Sequence, residues 1–217
     1  MPKVHKEYAA NKRNFIIKCA NEAFMEKPLY QITMRDIIVK TGFSQGTIYR
    51  YYSNVDEIFL DSVNRSTPPD VLESAIGHLF SLDKKEADIV FESINAMGYY
   101  IKKLQNTVGG KILFGILVLY AFDQQKKESV LQRLIFRQSL DNAQSLIIGY
   151  IRQNIEKGVF KPIIPLEEII RFTQAAVDGI STDTAIQSIA GRSETYISEM
   201  FATLAKAILY FLGTAEE

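Results

Sequence analysis

Between Thr33 and Tyr52 the chain reads Thr33-Met-Arg-Asp-Ile-Ile-Val-Lys-Thr-Gly-Phe-Ser-Gln-Gly-Thr-Ile-Tyr-Arg-Tyr-Tyr52, two helix starts with a glycine between them. Thr33 stands at an N-cap position three residues before Asp36, a loose capping box, and Ile37 and Ile38 supply an apolar side. Gly42 interrupts the pattern, and Ser44 caps a second short helix running to about Tyr52. Two short helices crossing at a glycine form a helix-turn-helix, in which the exposed N-terminal face of the second enters a DNA major groove. Phe43 and Ile48 turn inward, leaving Gln45, Thr47, Tyr49, Arg50 and Tyr51 outward. Gln and Arg pair with base edges, Thr reaches a thymine methyl or a phosphate, and Tyr hydroxyls reach phosphates. Gly46 lets the helix backbone approach a duplex closely.

The flanking sequence is helical throughout. Phe15, Ile16, Ala20, Ala23 and Phe24 share one face of a helix that Pro28 breaks, and Asn54 or Ser53 caps a fourth helix containing Ile58, Phe59 and Val63. Arg65-Ser-Thr-Pro-Pro-Asp70 marks a junction, dividing the chain into residues 1–65 and 66–217. Beyond it Val90, Ile94, Met97, Ile101 and Leu104 step by three or four, and Gly109-Gly110 reads as the end of that helix. The apolar segment 112–122 comes next. A long helix is expected from about Lys127 to Glu156, with Leu131, Leu134, Ile135, Gln138 and Leu146, stopping at Gly158. After the connector Lys161-Pro-Ile-Ile-Pro165, helices at about Leu166–Ser188 and Ser193–Leu212 close an all-α chain.

Composition narrows the function classes. With 47% hydrophobic residues and only 12 Gly and 6 Pro in 217 residues, the chain buries a core and is neither collagen-like nor disordered. No apolar run reaches the ~20 residues of a membrane span, and Met1-Pro-Lys-Val-His-Lys-Glu7 lacks the apolar core of a leader. A single cysteine, Cys19, forms no internal disulfide, which suits a cytoplasmic location. The net charge of +0 conceals an asymmetry, because Lys3, Lys6, Lys12, Arg13 and Lys18 face only Glu7 at the start, a local positive charge suited to phosphates. His5 and His78 stand apart from each other and from Cys19, so no metal site is expected. No nucleophile–base set or carboxylate pair converges, so neither an enzyme nor a cofactor is expected. Gly109-Gly110-Lys111 lacks the upstream glycine and following Ser/Thr of a phosphate loop.

Thr33-Met-Arg-Asp-Ile37, Thr41-Gly-Phe-Ser-Gln-Gly-Thr-Ile-Tyr-Arg-Tyr-Tyr52 and Asp56-Glu-Ile58, in that order, resemble the TetR family of bacterial regulators over about residues 12–60. The resemblance implies an N-terminal helix-turn-helix DNA-binding domain and a C-terminal helical domain for a small effector and for dimerisation. By position Ser44, Gln45, Gly46, Thr47, Tyr49 and Tyr51 match the segment that contacts DNA, with Arg35 and Thr33 contributing from the preceding helix and Arg50 added on chemical grounds. The implied partner is a near-palindromic double-stranded operator. Two positions depart from the pattern: Pro28 replaces a helix-ending glycine, and Val55 replaces a lysine that contacts a phosphate. A rival reading keeps the small-molecule domain without specific operator binding.

In the second half, Ile197, Met200, Phe201, Leu204, Ile208 and Phe211 form one stripe, widened by Ala205, Leu209 and Leu212. Such breadth implies burial on two sides, with Ala175, Ala176, Gly179, Ser181 and Ala185 on the preceding helix allowing close approach. The homodimer interface is therefore placed at Ala176, Gly179, Ile197, Phe201, Leu204 and Ile208. Met97, Tyr100, Phe114, Leu117, Phe136, Phe172 and Gln174 are candidates for a pocket taking an apolar or aromatic effector.

Overall fold

The computed structural model describes residues 3–66, 71–189 and 196–214, and every long element among them is a helix. In chain order these are α1 (Lys3–Glu26), α2 (Met34–Thr41), α3 (Gln45–Tyr49), α4 (Val55–Ser66), α5 (Val71–Phe80), α6 (Glu86–Gln105), α7 (Val108–Leu119), α8 (Gln124–Leu131), α9 (Ile135–Glu156), α10 (Leu166–Ile189) and α11 (Tyr196–Phe211). The proline junction and Ser193 lie outside the described residues. By packing the chain forms two units, residues 1–68 with 106–135 and residues 69–105 with 136–217. The division at residue 65 therefore separates sequence but not packing, because α7 and α8 return to the first unit.

In that unit Ile16, Ala20, Ile37, Ile48, Ile58, Val63 and Ile112 are wholly buried, each on the inward face of its helix. Thr107 caps α7 by accepting a hydrogen bond from the Gly110 N–H. Gly109-Gly110 thus opens a helix and does not close one. A side chain at Gly109 would collide with Ser66 of α4, so α7 lies close along α4.

The expected helix 127–156 is two helices. Asp123 caps α8, and the chain then turns through Gln132–Leu134, where Asn64 of α4 donates to the Arg133 carbonyl (3.1 Å) and accepts from the Ile135 N–H (3.0 Å). This break resets the phase. The buried stripe of α9 is Phe136, Ser139, Ala143, Ile147 and Ile151, whereas Ile135 and Leu146 face outward.

The second unit is built on α6 and α11. Val90, Ile94, Met97, Ile101 and Leu104 are all buried, as their spacing implies. A Cβ at Gly98 would lie 2.5 Å from Phe201 Cγ, so the absence of a side chain lets the Phe201 ring sit on the α6 backbone. Ile197, Phe201, Leu204 and Ile208 are buried inside the single chain, at most 4% exposed. That corrects their placement in a dimer interface: α11 spends its broad apolar face on its own chain's α6 and α10. Of the six expected interface residues only Ala176 and Gly179 retain accessible surface. The helix α5, unmarked in the sequence, docks by stacking Phe80 on Tyr150 (4.6 Å) and by a Glu73–Asn142 hydrogen bond (3.1 Å). The proline connector pairs with the chain end, Lys161 N–H donating to the Leu212 carbonyl (3.0 Å) and Ile163 N–H to that of Phe211 (2.9 Å).

Gly98→Ala should destabilise the protein by about 1–3 kcal/mol through overpacking against Phe201. Gly77→Ala, on an open helix surface, should instead be neutral or stabilising by about 0.5–1 kcal/mol. Urea denaturation of both variants measures the difference.

Candidate nucleic-acid interface

The turn after α1 is built around Pro28 without the positive φ that glycine would give. Pro28 (φ −57°) leads into one 3-10 turn, Leu29–Gln31, and Ile32 enters the core. Thr33 then caps α2 with the full reciprocal box: its Oγ1 accepts from the Asp36 N–H, and the Asp36 carboxylate accepts from the Thr33 N–H (2.9 Å). The Thr33 hydroxyl also donates to Asp36 (2.7 Å), so its proton is engaged within the fold. Hydrogen bonds from Lys27 and Thr33 hold the Asp36 carboxyl well below its ordinary range. Gly42, at φ +68°, ends α2 and turns the chain into α3.

Ser44 caps α3 by accepting from the Thr47 N–H, and the two hydroxyls also pair at 2.9 Å. The helix ends at Tyr49, earlier than its sequence suggests. Tyr51 and Tyr52 form a closing turn on the Ile48 carbonyl. Ile48 is buried, while Gln45, Gly46, Tyr49 and Arg50 are exposed and Thr47 and Tyr51 half-buried. Arg35 is exposed on α2. A Cβ at Gly46 would meet nothing within 4 Å, so the fold itself does not require glycine there.

Tyr52 faces the other way. Its hydroxyl donates to Asp61 of α4 (2.5 Å), which Arg65 grips with both Nε (2.8 Å) and Nη2 (3.2 Å), while Arg65 Nη1 bonds Asn14 of α1. Burial pushes the Tyr52 phenol up, and the bond to Asp61 adds to it. Burial also pushes Asp61 up, but the hydrogen bonds from Arg65 and Tyr52 outweigh it and leave the carboxyl below its ordinary value. Asn54 accepts from the Glu57 N–H (3.0 Å) and caps α4, leaving Val55 half-buried in the first turn.

The structure adds two cations the sequence offered only as a basic leader. Arg13 approaches the Tyr51 ring (6.0 Å) and Lys12 the ring of Phe43 (5.2 Å), so α1 brings positive charge beside the helix-turn-helix. The expected effector residues fall in both units. Met97, Tyr100 and Phe136 are buried in the second unit, Phe172 and Gln174 are exposed on α10, and Phe114 and Leu117 belong to the first unit.

Residues 16–61 match the family model described as bacterial regulatory proteins, tetR family. Residues 16–61 are a TetR-family DNA-binding segment. Over 189 residues the chain is 28% identical to the HTH-type transcriptional regulator YfiR of Bacillus subtilis (strain 168), covering 82% of each protein. Its fold is shared with a TetR-family transcriptional regulator from Syntrophomonas wolfei str. Goettingen (TM-score 0.63, 20% identity, 93% of this chain and 96% of that one). A TM-score of 0.58 relates it to Thermus thermophilus FadR, a TetR-family repressor in complex with lauroyl-CoA, at 16% identity over 94% of this chain and 97% of that one. The TetR-family helix-turn-helix is therefore α2 and α3, and the protein is a DNA-binding transcriptional regulator.

Thr33→Ala should cost about 1 kcal/mol by removing the α2 cap, and Thr33→Ser should restore most of it, as read by chemical denaturation. Asp36 and Asp61 bind protons less tightly folded than unfolded. Their stabilisation is therefore complete well above the unfolded carboxyl value of about 3.9 and is lost as pH falls below it. Asp61→Asn should thus lower the denaturation midpoint at neutral pH, and the gap from the unmodified protein should shrink as pH drops towards about 3.

Proposed function

We propose that the protein is a homodimeric repressor that holds a near-palindromic operator in the cytoplasm and lets go when a small apolar or aromatic effector binds the second unit. The observation that carries the DNA half is the outward face of α3. Gln45, Gly46 and Tyr49 are exposed there, with Arg50 exposed at its end, and a Cβ at Gly46 would meet nothing within 4 Å. A dimer presents two such faces to half-sites about 34–36 Å apart, and an effector that favours a different spacing loses contacts with one of them. Thermus thermophilus FadR, which shares the fold and holds lauroyl-CoA, supports a ligand with an apolar portion. The role assigned is binding, with no catalytic step.

The dimer is assigned to α10. Phe172, Ala175, Gly179 and Ile186 are exposed along one side of it with Ala176 partly so, a largely apolar stripe at helical spacing that the described residues leave uncovered. Gly179→Arg meets open space within the monomer, so it should leave folding intact and shift sedimentation from dimer to monomer. A dimer that survives this change places the interface elsewhere.

Selection of genomic fragments by the purified protein tests operator reading directly. Gln45→Ala should relax preference at one base pair per half-site, at a cost of about 1–3 kcal/mol. Gly46→Ala should fold at least as stably as the parent yet bind DNA more weakly, because the added methyl stands only against the duplex. Val55→Lys should steepen the slope of log affinity against log salt by about 1.8 for a bound dimer, alike on operator and scrambled duplexes, since each neutralised phosphate contributes about 0.9. An unchanged slope would mean that Val55 does not face the backbone.

A further inference from the structure

Buried polar side chains of the second unit normally find a partner. Ser93 donates to the Ile89 carbonyl, Thr184 to that of Ile180, Asn154 to that of Tyr150, and Gln105 to the Ser181 carbonyl and Thr184. Even the exposed Ser145 and Thr203 turn back onto the carbonyl four residues earlier. Two groups break this habit. The Tyr100 hydroxyl and Ser139 Oγ are buried without a hydrogen-bond partner among the described residues. Tyr100 is 9% exposed and Ser139 4%.

They belong to one place in the fold. The Tyr100 ring of α6 stacks on Phe136 of α9 at 5.7 Å and 13°, and Ser139 follows Phe136 by one helical turn, on the same side of α9. Met97, Ile101 and Leu104 beside Tyr100, and Ala143 one turn beyond Ser139, are all buried and apolar. No Lys, Arg, Asp or Glu is buried among the described residues of either unit. A charged group entering here would meet no buried counter-charge among the described residues, whereas a neutral oxygen would satisfy two hydroxyls left unmatched among them.

We infer that Tyr100 and Ser139 form the polar end of the effector site and select an uncharged ligand, an apolar body carrying one hydroxyl or carbonyl oxygen. This rests on reading the second unit as the effector domain. Each of the two hydroxyls can donate or accept, so together they hold an alcohol, phenol or ketone oxygen. They leave a carboxylate without a cation and a bare hydrocarbon without a match. The phenol has no acidic or basic partner, and burial alone pushes its pKa up, so it stays protonated as a donor across physiological pH.

The test uses the full-length protein and two matched probe sets, 1-octanol, 2-octanone, octane and octanoate, and 4-propylphenol, propylbenzene and 4-propylbenzoate. Binding is read by calorimetry, and release of the operator fragment is read in parallel. In at least one set the neutral oxygenated members should bind at least tenfold more tightly than the hydrocarbon and the carboxylate. Tyr100→Phe and Ser139→Ala should each erode that preference and the double variant abolish it, with hydrocarbon binding unchanged. The inference is overturned by a preference that survives in the double variant, by tighter binding of the carboxylates, or by no binding in either set. It is also overturned if either variant fails to fold, because its hydroxyl would then have a structural partner. Operator binding without probes separates the two levels: its retention alongside any of these results removes the ligand assignment alone, whereas its loss in the unmodified protein removes the regulator reading.

Discussion

The hydrogen bond from the Tyr52 hydroxyl to Asp61 decides where the recognition helix stands. α3 is a helix of 5 residues, too short to hold its own conformation in water, so its position comes from what fastens its two ends. At the start, the Ser44 cap and the left-handed Gly42 set its direction relative to α2. At the end, Tyr52 leaves the DNA-facing side, enters the core and joins Asp61, which Arg65 binds through two nitrogens. Because Arg65 also reaches Asn14, the same network ties α1 and α4 to the end of the reading element. Tyr52 is the buried member of this network, and Asp61 and Arg65 keep part of their surface in solvent.

α4 is held along much of its length by groups from distant parts of the sequence. Asp56 receives a hydrogen bond from the Tyr120 hydroxyl (3.2 Å) and an ion pair from Lys126 (3.6 Å), Glu57 pairs with Arg133 (3.8 Å), and Asn64 clasps the turn before α9. Ser62 donates to Asn21 of α1 (2.7 Å) from the same helix. The exposed ion pairs contribute little individually. What they share is direction, since each joins residues 106–135 to the helix that carries Asp61. The chain thus passes between its two units at 68–69, 105–106 and 135–136, and the returning segment packs on the helix that positions the DNA reader.

Local signals dictated the features that depend only on neighbours in the chain. The Thr33 cap, the Gly42 turn, the Ser44 cap and the inward Ile48 follow from side-chain chemistry within a few residues, and all are visible in the sequence. The α6 stripe was equally legible, because five apolar residues in helical phase have one face to bury. Pro28 also declared itself: it rules out a glycine-type helix end and starts the 3-10 turn that replaces it.

The features that escaped the sequence depend on partners distant along the chain. Ser139 is an ordinary helical serine by sequence, and only its burial without a partner sets it apart from Ser93 or Ser145. Gly109-Gly110 opens a helix because Thr107 caps it and α4 lies close against it, and the phase of α9 was reset by Asn64, far upstream. Apolar stripes on α10 and α11 announce burial without saying against what. The sequence by itself determined the all-α class, the helix-turn-helix and its outward chemistry, because caps, turns and periodicity are local. Only the tertiary structure decided that Phe201 sits over Gly98 in its own chain and that residues 106–135 belong with the DNA-reading unit. The hydrophobic effect rewards covering an apolar face and is indifferent to which surface covers it, and three-dimensional packing makes that choice.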